Sequence, residues 1–135
     1  MSSERAAVRD LLYRLGVTEN YIGFLYTSYA VLLCMEQPER LLLVTKWLYP
    51  EIAKQYRTKW TAVERDIRTV NSIIWMKNRP LLEQLARVHL EQKPRNAQLL
   101  AILAASFDGF PANCGQDGAD EPESGRFEFF WNEPF

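Results

Sequence analysis

From Ser3 to Phe107 the apolar positions recur with helical rather than strand spacing, which predicts an all-α chain. Ser3 to Leu15 reads as a first helix with Val8, Leu11, Leu12 and Leu15 on one face, stopped by Gly16. Thr18 is placed to cap a second helix, Glu19 to Met35, with Ile22, Leu25, Tyr26, Tyr29, Leu32 and Leu33 inward. Gly23 weakens that helix locally and marks a close helix approach. Pro38 opens a third helix to about Tyr49, and its Leu41 to Val44 run, apolar nearly all round, predicts a central position. Pro50 suits the first turn of a fourth, with Ile52, Ala53 and Tyr56 inward and Glu51, Lys54 and Gln55 outward. After a break at Arg57 to Trp60, with Trp60 covering the core, Thr61 begins the next helix, with Glu64 at capping-box spacing. Val63, Ile67, Val70 and Ile74 then form one buried stripe. Asn78 and Pro80 end this helix at about Trp75 or soon after. A shorter helix follows from Leu81 to about His89, packing through Leu82, Leu85 and Val88 or His89. Lys93 to Arg95 is a loop, and Asn96 caps a last helix to Phe107 with Leu99, Leu100, Ile102 and Leu103. The expected architecture is a compact bundle of six to seven helices, one domain over residues 1–107.

Within that bundle, Tyr49 to Trp75 has the layout of a helix-turn-helix. A first helix braces, a tight turn follows, and a second helix offers polar side chains off its buried stripe. Glu64, Arg65, Arg68 and Thr69 are the candidate reading residues, and Lys54, Arg57, Lys59 and Thr61 flank the turn where phosphates would lie. Each has a plainer reading. Glu64 caps the helix or pairs with Arg68 four residues on, for a few tenths of a kcal/mol, and the remaining charges are a solvated face.

Charge sharpens the picture. The net −1 of the whole chain divides into 15 Lys/Arg against 10 Asp/Glu before residue 108, and one Arg against seven acids from 108 to 135. A basic body of +5 suits nucleic acid, and a −6 tail suits a solvated or interacting segment. Residues 108–125 are rich in Gly, Pro, Asp and Glu, a composition too poor in apolar surface to order itself. The chain then ends in RFEFFWNEPF, whose Phe127, Phe129 and Trp131 alternate as on one side of an extended segment. Such a tip is expected to dock, on its own domain, on a neighbouring protomer or in a partner's groove.

Several function classes fall away. The longest apolar runs, Ala30 to Met35 and Leu41 to Val44, are too short to span a bilayer, and MSSERAAVRD lacks the apolar core of a signal peptide. Cys34 and Cys114 make no metal spacing and are expected to stay reduced in a cytoplasmic protein. His89, the only histidine, belongs to no Ser/His/Asp or Cys/His set, and no Gly-rich phosphate loop or metal cluster is present. The expectation is a non-enzyme without cofactor or metal.

Leu48 to Lys54, LYPEIAK, followed by Val63 to Arg68, VERDIR, resembles the C-terminal DNA-binding effector domain of the stage-zero sporulation response regulator. LGVTENYIGFLY, TKWLYP and KPRN agree, and the resemblance runs from about Leu11 to Phe107. It implies an all-helical bundle with a helix-turn-helix in a bacterial transcription regulator. Its partners would be a double-stranded promoter box, a second copy on tandem sites, and RNA polymerase. By the same resemblance Glu64, Arg65 and Arg68 fall on the family's DNA-contacting positions. Four departures stand beside it. The family's receiver domain is expected to be missing, so control by phosphorylation is not carried over. Ala62 stands where the family has a basic residue, and Asp66 where a small residue is usual. The 108–135 tail has no counterpart. These departures leave open a second reading, a protein-binding regulatory module that keeps the fold without productive DNA binding.

Overall fold

A computed structural model of the chain describes residues 2–107. Five α-helices, α1 (Ser2–Arg14), α2 (Ile22–Glu36), α3 (Tyr49–Tyr56), α4 (Trp60–Ala86) and α5 (Asn96–Ala105), enclose one core, and no strand occurs among the described residues. The predicted faces of α1 and α4 are buried: Val8, Leu11, Leu12 and Leu15 from one, Val63, Ile67, Val70 and Ile74 from the other. Each such side chain contributes about 1.5–3 kcal/mol by leaving water. The helices lie within the span expected for the domain, 1–107, and the expected tail, residues 108–135, lies outside the described residues, so the division between them remains an expectation from the sequence.

Two glycines set the packing of α1 and α2. Gly16 takes φ +101°, and the Val17 N–H donates to the Leu12 carbonyl, which closes α1 with a left-handed cap. Gly23 sits where α2 crosses α4; a Cβ there would lie 2.3 Å from the Asp66 carbonyl oxygen. The close approach read from Gly23 is therefore an approach to the backbone of α4.

The helix boundaries differ from the sequence reading in ways that tertiary contacts explain. α2 begins at Ile22 rather than Glu19, behind a turn in which the Tyr21 N–H donates to the Thr18 carbonyl, and Thr18 does not cap it. Ile22 and Leu25 are not inward but 53% and 43% exposed. α2 is apolar on all sides, and the core takes only the side that carries Phe24, Tyr26, Ala30 and Leu33. The predicted third helix is a 3-10 turn (Pro38–Leu42) and a π turn (Val44–Leu48) divided by Leu43 in a non-helical conformation. Leu41 and Val44 are buried, but Leu42 and Leu43 are half exposed. The reason lies in Arg40, which turns inward and is 7% exposed. It donates to the Leu33 carbonyl at 2.8 Å, makes a two-pronged pair with Glu51 at 2.9 and 3.2 Å, and lies over the Trp47 ring. A continuous α-helix through this segment gives way to that demand.

The two helices predicted on either side of Pro80 run end to end as the two halves of α4, divided at Asn78, whose φ of −150° and ψ of 56° are not helical. Asn78 caps the second half: its Oδ1 accepts from the Leu81 N–H, and its Nδ2 donates to the Arg14 carbonyl at 2.8 Å. Pro80 thus falls in a first turn, where it is tolerated. The second half ends at Ala86 instead of His89, with Arg87 in the left-handed region and Val88 42% exposed. α5 starts at Asn96, with Arg95 rather than Asn96 at the cap position, and stops at Ala105. Cys34 is buried, and burial pushes its thiol up to about 12, so it packs as an apolar group. Cys114 lies outside the described residues.

Glu83 ties off the far end of α4. Its carboxylate accepts from the Leu90 N–H at 2.9 Å and from Arg79 Nε at 3.2 Å, and stands 3.1 Å from His89 Nδ1. The Leu90 N–H most of all, with help from Arg79 and His89 and against some desolvation, holds the Glu83 carboxyl below the usual carboxylate range. A folded-state value below the unfolded one stabilises the fold above the unfolded value, near 4.3 for a free Glu side chain, and that part is lost as pH falls through the folded value. Glu83→Gln is therefore expected to lower stability at neutral pH and to flatten its decline in acid. Urea denaturation midpoints taken at a series of pH values check this.

Candidate nucleic-acid interface

α3 and α4 pack against each other and are joined by only Arg57, Thr58 and Lys59. The link is tight because Arg57 takes φ 55° and the Thr58 N–H returns to the Ala53 carbonyl at 2.9 Å. Left-handed backbone at a non-glycine costs about 1–2 kcal/mol, so packing holds this turn in place. Lys59 occupies the cap position of α4, and no side chain caps it. Thr61 consequently sits inside the first turn and not at its start, and no capping box forms with Glu64. The Ala62 N–H turns back to the Lys59 carbonyl at 3.0 Å, which leaves the Trp60 and Thr61 N–H groups at the helix start without intrahelical acceptors.

With the Val63–Ile74 stripe on the core, the other half of α4 faces out. Thr61, Arg65, Arg68 and Thr69 are exposed there, and Glu64 is half-buried at its edge. Lys54, Arg57 and Lys59 are exposed around the turn. All eight predicted site residues therefore lie on one continuous stretch of α3, turn and α4. Trp60, expected to cover the core, is 40% exposed at the same end.

The charges on this face are partly matched. Arg68 stands 3.5 Å from Glu64, the plain ion pair foreseen from their spacing, and Arg65 Nε lies 3.4 Å from Asp66 Oδ1. Thr69 Oγ1 donates to the Arg65 carbonyl. Asp66 does not share the outward face of Arg65: its carboxylate is 16% exposed, and its carbonyl faces Gly23 of α2. The negative charge read there is turned toward the packed flank.

The neighbouring turn, from Lys93 to Ala97, carries none of the eight predicted site residues. A cleft of about 300 Å³ opens beside Arg68, between α4, Thr45 and the Lys93–Ala97 segment. Lys93 Nζ donates to Ser72 Oγ at 2.7 Å, the Asn71 amide donates to the Pro94 carbonyl at 2.7 Å, and Asn96 Nδ2 reaches the Tyr49 hydroxyl and the Glu64 carbonyl, each at 3.2 Å. These bonds fix Lys93 and Arg95 at the side of α4. The charged KPRN run was the only sign of them in the sequence. Tyr49 is a structural post, its hydroxyl pushed up to about 12 by burial.

Among the described residues no group of His, Cys, Asp and Glu is arranged to hold a metal ion, and no helix is long and apolar enough to cross a membrane. Residues 8–107 match the family model described as sporulation initiation factor Spo0A C terminal.

Proposed function

The chain belongs to the Spo0A C-terminal family, and from that premise we propose that α3 and α4 act as a helix-turn-helix that reads a promoter box. The family is one of bacterial DNA-binding domains that regulate transcription in sporulation, not one of enzymes. The observation that carries the finer reading is the basic, solvent-facing half of α4, set against the packed brace of α3.

In this reading the first turns of α4 enter the major groove. Arg65 and Arg68 reach base edges, most naturally guanine O6 and N7, where two donors meet two acceptors. Glu64 orients Arg68 or accepts from a cytosine amino group, and Thr69 offers its methyl to a thymine. Thr61, the free N–H groups at the start of α4, and Lys54, Arg57 and Lys59 hold phosphates. Lys93 extends that rim. The ion pairs at Arg65 and Arg68 do not oppose this use. An exposed pair is worth about 0.2–1 kcal/mol, whereas a two-pronged base contact is worth about 1–3 kcal/mol, so the pairs yield on binding. Two copies on tandem boxes, contact with RNA polymerase and a cytoplasmic location follow from the same reading.

Arg68→Ala should cost about 1–3 kcal/mol on the cognate box and lose discrimination at one base pair. Lys59→Ala should weaken all sequences alike and reduce the salt slope by about one unit. Titrations of both variants on cognate and single-base-changed duplexes test this. Wild-type behaviour of Arg68→Ala on every duplex would remove Arg68 from the reading face. The rival reading, a protein-binding module that keeps the fold, is favoured by the acids standing against both arginines, and predicts no discrimination from the start.

A further inference from the structure

We propose that the groove between α1, α2 and α3 is the docking site of this chain's own C-terminal tip, Phe127 to Trp131. The inference does not depend on DNA binding.

The groove exists because α2 carries more apolar surface than the core takes. Ile22, Leu25, Tyr29 and Leu32 recur along one flank of α2; the first two are exposed and the last two half-buried. Beside them a hollow of about 170 Å³ is lined by Arg5, Arg9, Leu25, Tyr29, Leu32 and Tyr56, among others. Tyr29 meets Tyr56 edge-on at 5.8 Å between ring centroids, and Tyr56 meets Tyr26 at 5.4 Å. Aromatic walls of this kind favour further rings in tilted or edge-on contact. A helix apolar on all sides is ordinarily covered on all sides.

The tip fits in chemistry and in reach. Phe127, Phe129 and Trp131 alternate, so an extended segment presents all three on one side. Glu128 lies between them, and residues 108–135 carry seven acids against one arginine. The rim offers Arg5, which makes no ion pair among the described residues, and Arg9, which is paired with Glu19. Nineteen residues separate Phe107 from Phe127, enough to extend about 65 Å. A 100-residue domain has a radius of gyration of about 13 Å, so every part of its surface is within range. Tethering also supplies an effective concentration on the order of 1 mM, so a contact of about 100 μM intrinsic affinity is mostly closed.

The test compares amide and methyl NMR spectra of the full chain with those of the Phe127→Ser/Phe129→Ser/Trp131→Ser variant. Docking as proposed moves the amides of α1 and α2 around Arg5, Arg9, Leu25 and Leu32. It also gives concentration-independent contacts from the Phe129 and Trp131 rings to the Leu25 and Leu32 methyls. Leu25 is 43% exposed, so Leu25→Glu should fold as wild type and lose most of those contacts. Shift changes confined to residues 126–135, or gathered on another face, would overturn the proposal. So would contacts that strengthen with concentration or appear only between differently labelled chains, since these place a second copy in the groove.

Discussion

Glu51→Ala should destabilise the fold by about 3 kcal/mol, although the Glu51 side chain is 34% exposed. The expectation follows from what the substitution leaves behind. The Arg40 side chain is 8% exposed, and Glu51 is its close carboxylate partner; Glu36 stands 3.9 Å away and is itself 71% exposed. Removing one member of a buried pair costs about 3–5 kcal/mol because the other charge is stranded. Solvent access to the carboxylate places this pair at the low end. Arg40→Met should cost less than Glu51→Ala. Methionine strands no charge, the freed carboxylate is hydrated, and the Leu33 carbonyl keeps the Gln37 N–H, so the loss is one hydrogen bond of about 1 kcal/mol and the contact with the Trp47 ring. Urea denaturation of both single variants and the double variant measures the order. Equal losses, or a neutral Glu51→Ala, would mean that the pair does not anchor α3. The consequence for function is direct, since Glu51 opens the helix that braces α4.

Gly23→Ala should also destabilise, by about 1–3 kcal/mol, against the trend of helix propensity. Alanine in place of glycine favours a helix interior by about 1 kcal/mol. Here the new Cβ would lie 2.3 Å from the Asp66 carbonyl oxygen and 2.7 Å from Val70 Cγ2. The first is backbone and cannot rotate aside, so α2 and α4 must separate, with overpacking costs of about 1–3 kcal/mol or more. For a domain of this size each kcal/mol shifts the melting temperature by about 4–8 °C. Thermal denaturation therefore separates the two outcomes easily: a raised melting temperature would show that the helices do not meet as closely as described.

The parts legible in the sequence were those decided by periodicity. The Val8–Leu15 face of α1 and the Val63–Ile74 stripe of α4 required only helical spacing, and both are buried. Of the eight candidate residues, Thr61, Glu64, Arg65, Arg68 and Thr69 were legible as what the buried stripe of α4 leaves outside, and Lys54, Arg57 and Lys59 as polar positions around the turn. What escaped were features made by partners distant in sequence. Arg40 reads as a surface cation until Leu33 and Glu51 close on it. Leu42 and Leu43 read as core until that inward turn rotates them out. Thr61 and Glu64 have capping spacing, but the tight turn at Arg57 starts α4 one residue earlier. Ile22 and Leu25 satisfy the apolar pattern of α2, yet a helix apolar on every side does not announce which side is covered. The loop that carries Lys93 and Arg95 is held to α4 by bonds to Ser72, Asn71 and Glu64, none of them near in sequence.

Sequence-specific binding of duplex DNA is tested most directly by titrating the full chain against the family's promoter box and a scrambled duplex of equal composition, at two or more salt concentrations. The box should be preferred by about 10³-fold, and affinity for both duplexes should fall with salt by about 0.9 log units per log unit for each phosphate held. Equal affinity for the two duplexes, or no binding to either at about 50 mM salt, would contradict a DNA-reading role for α4.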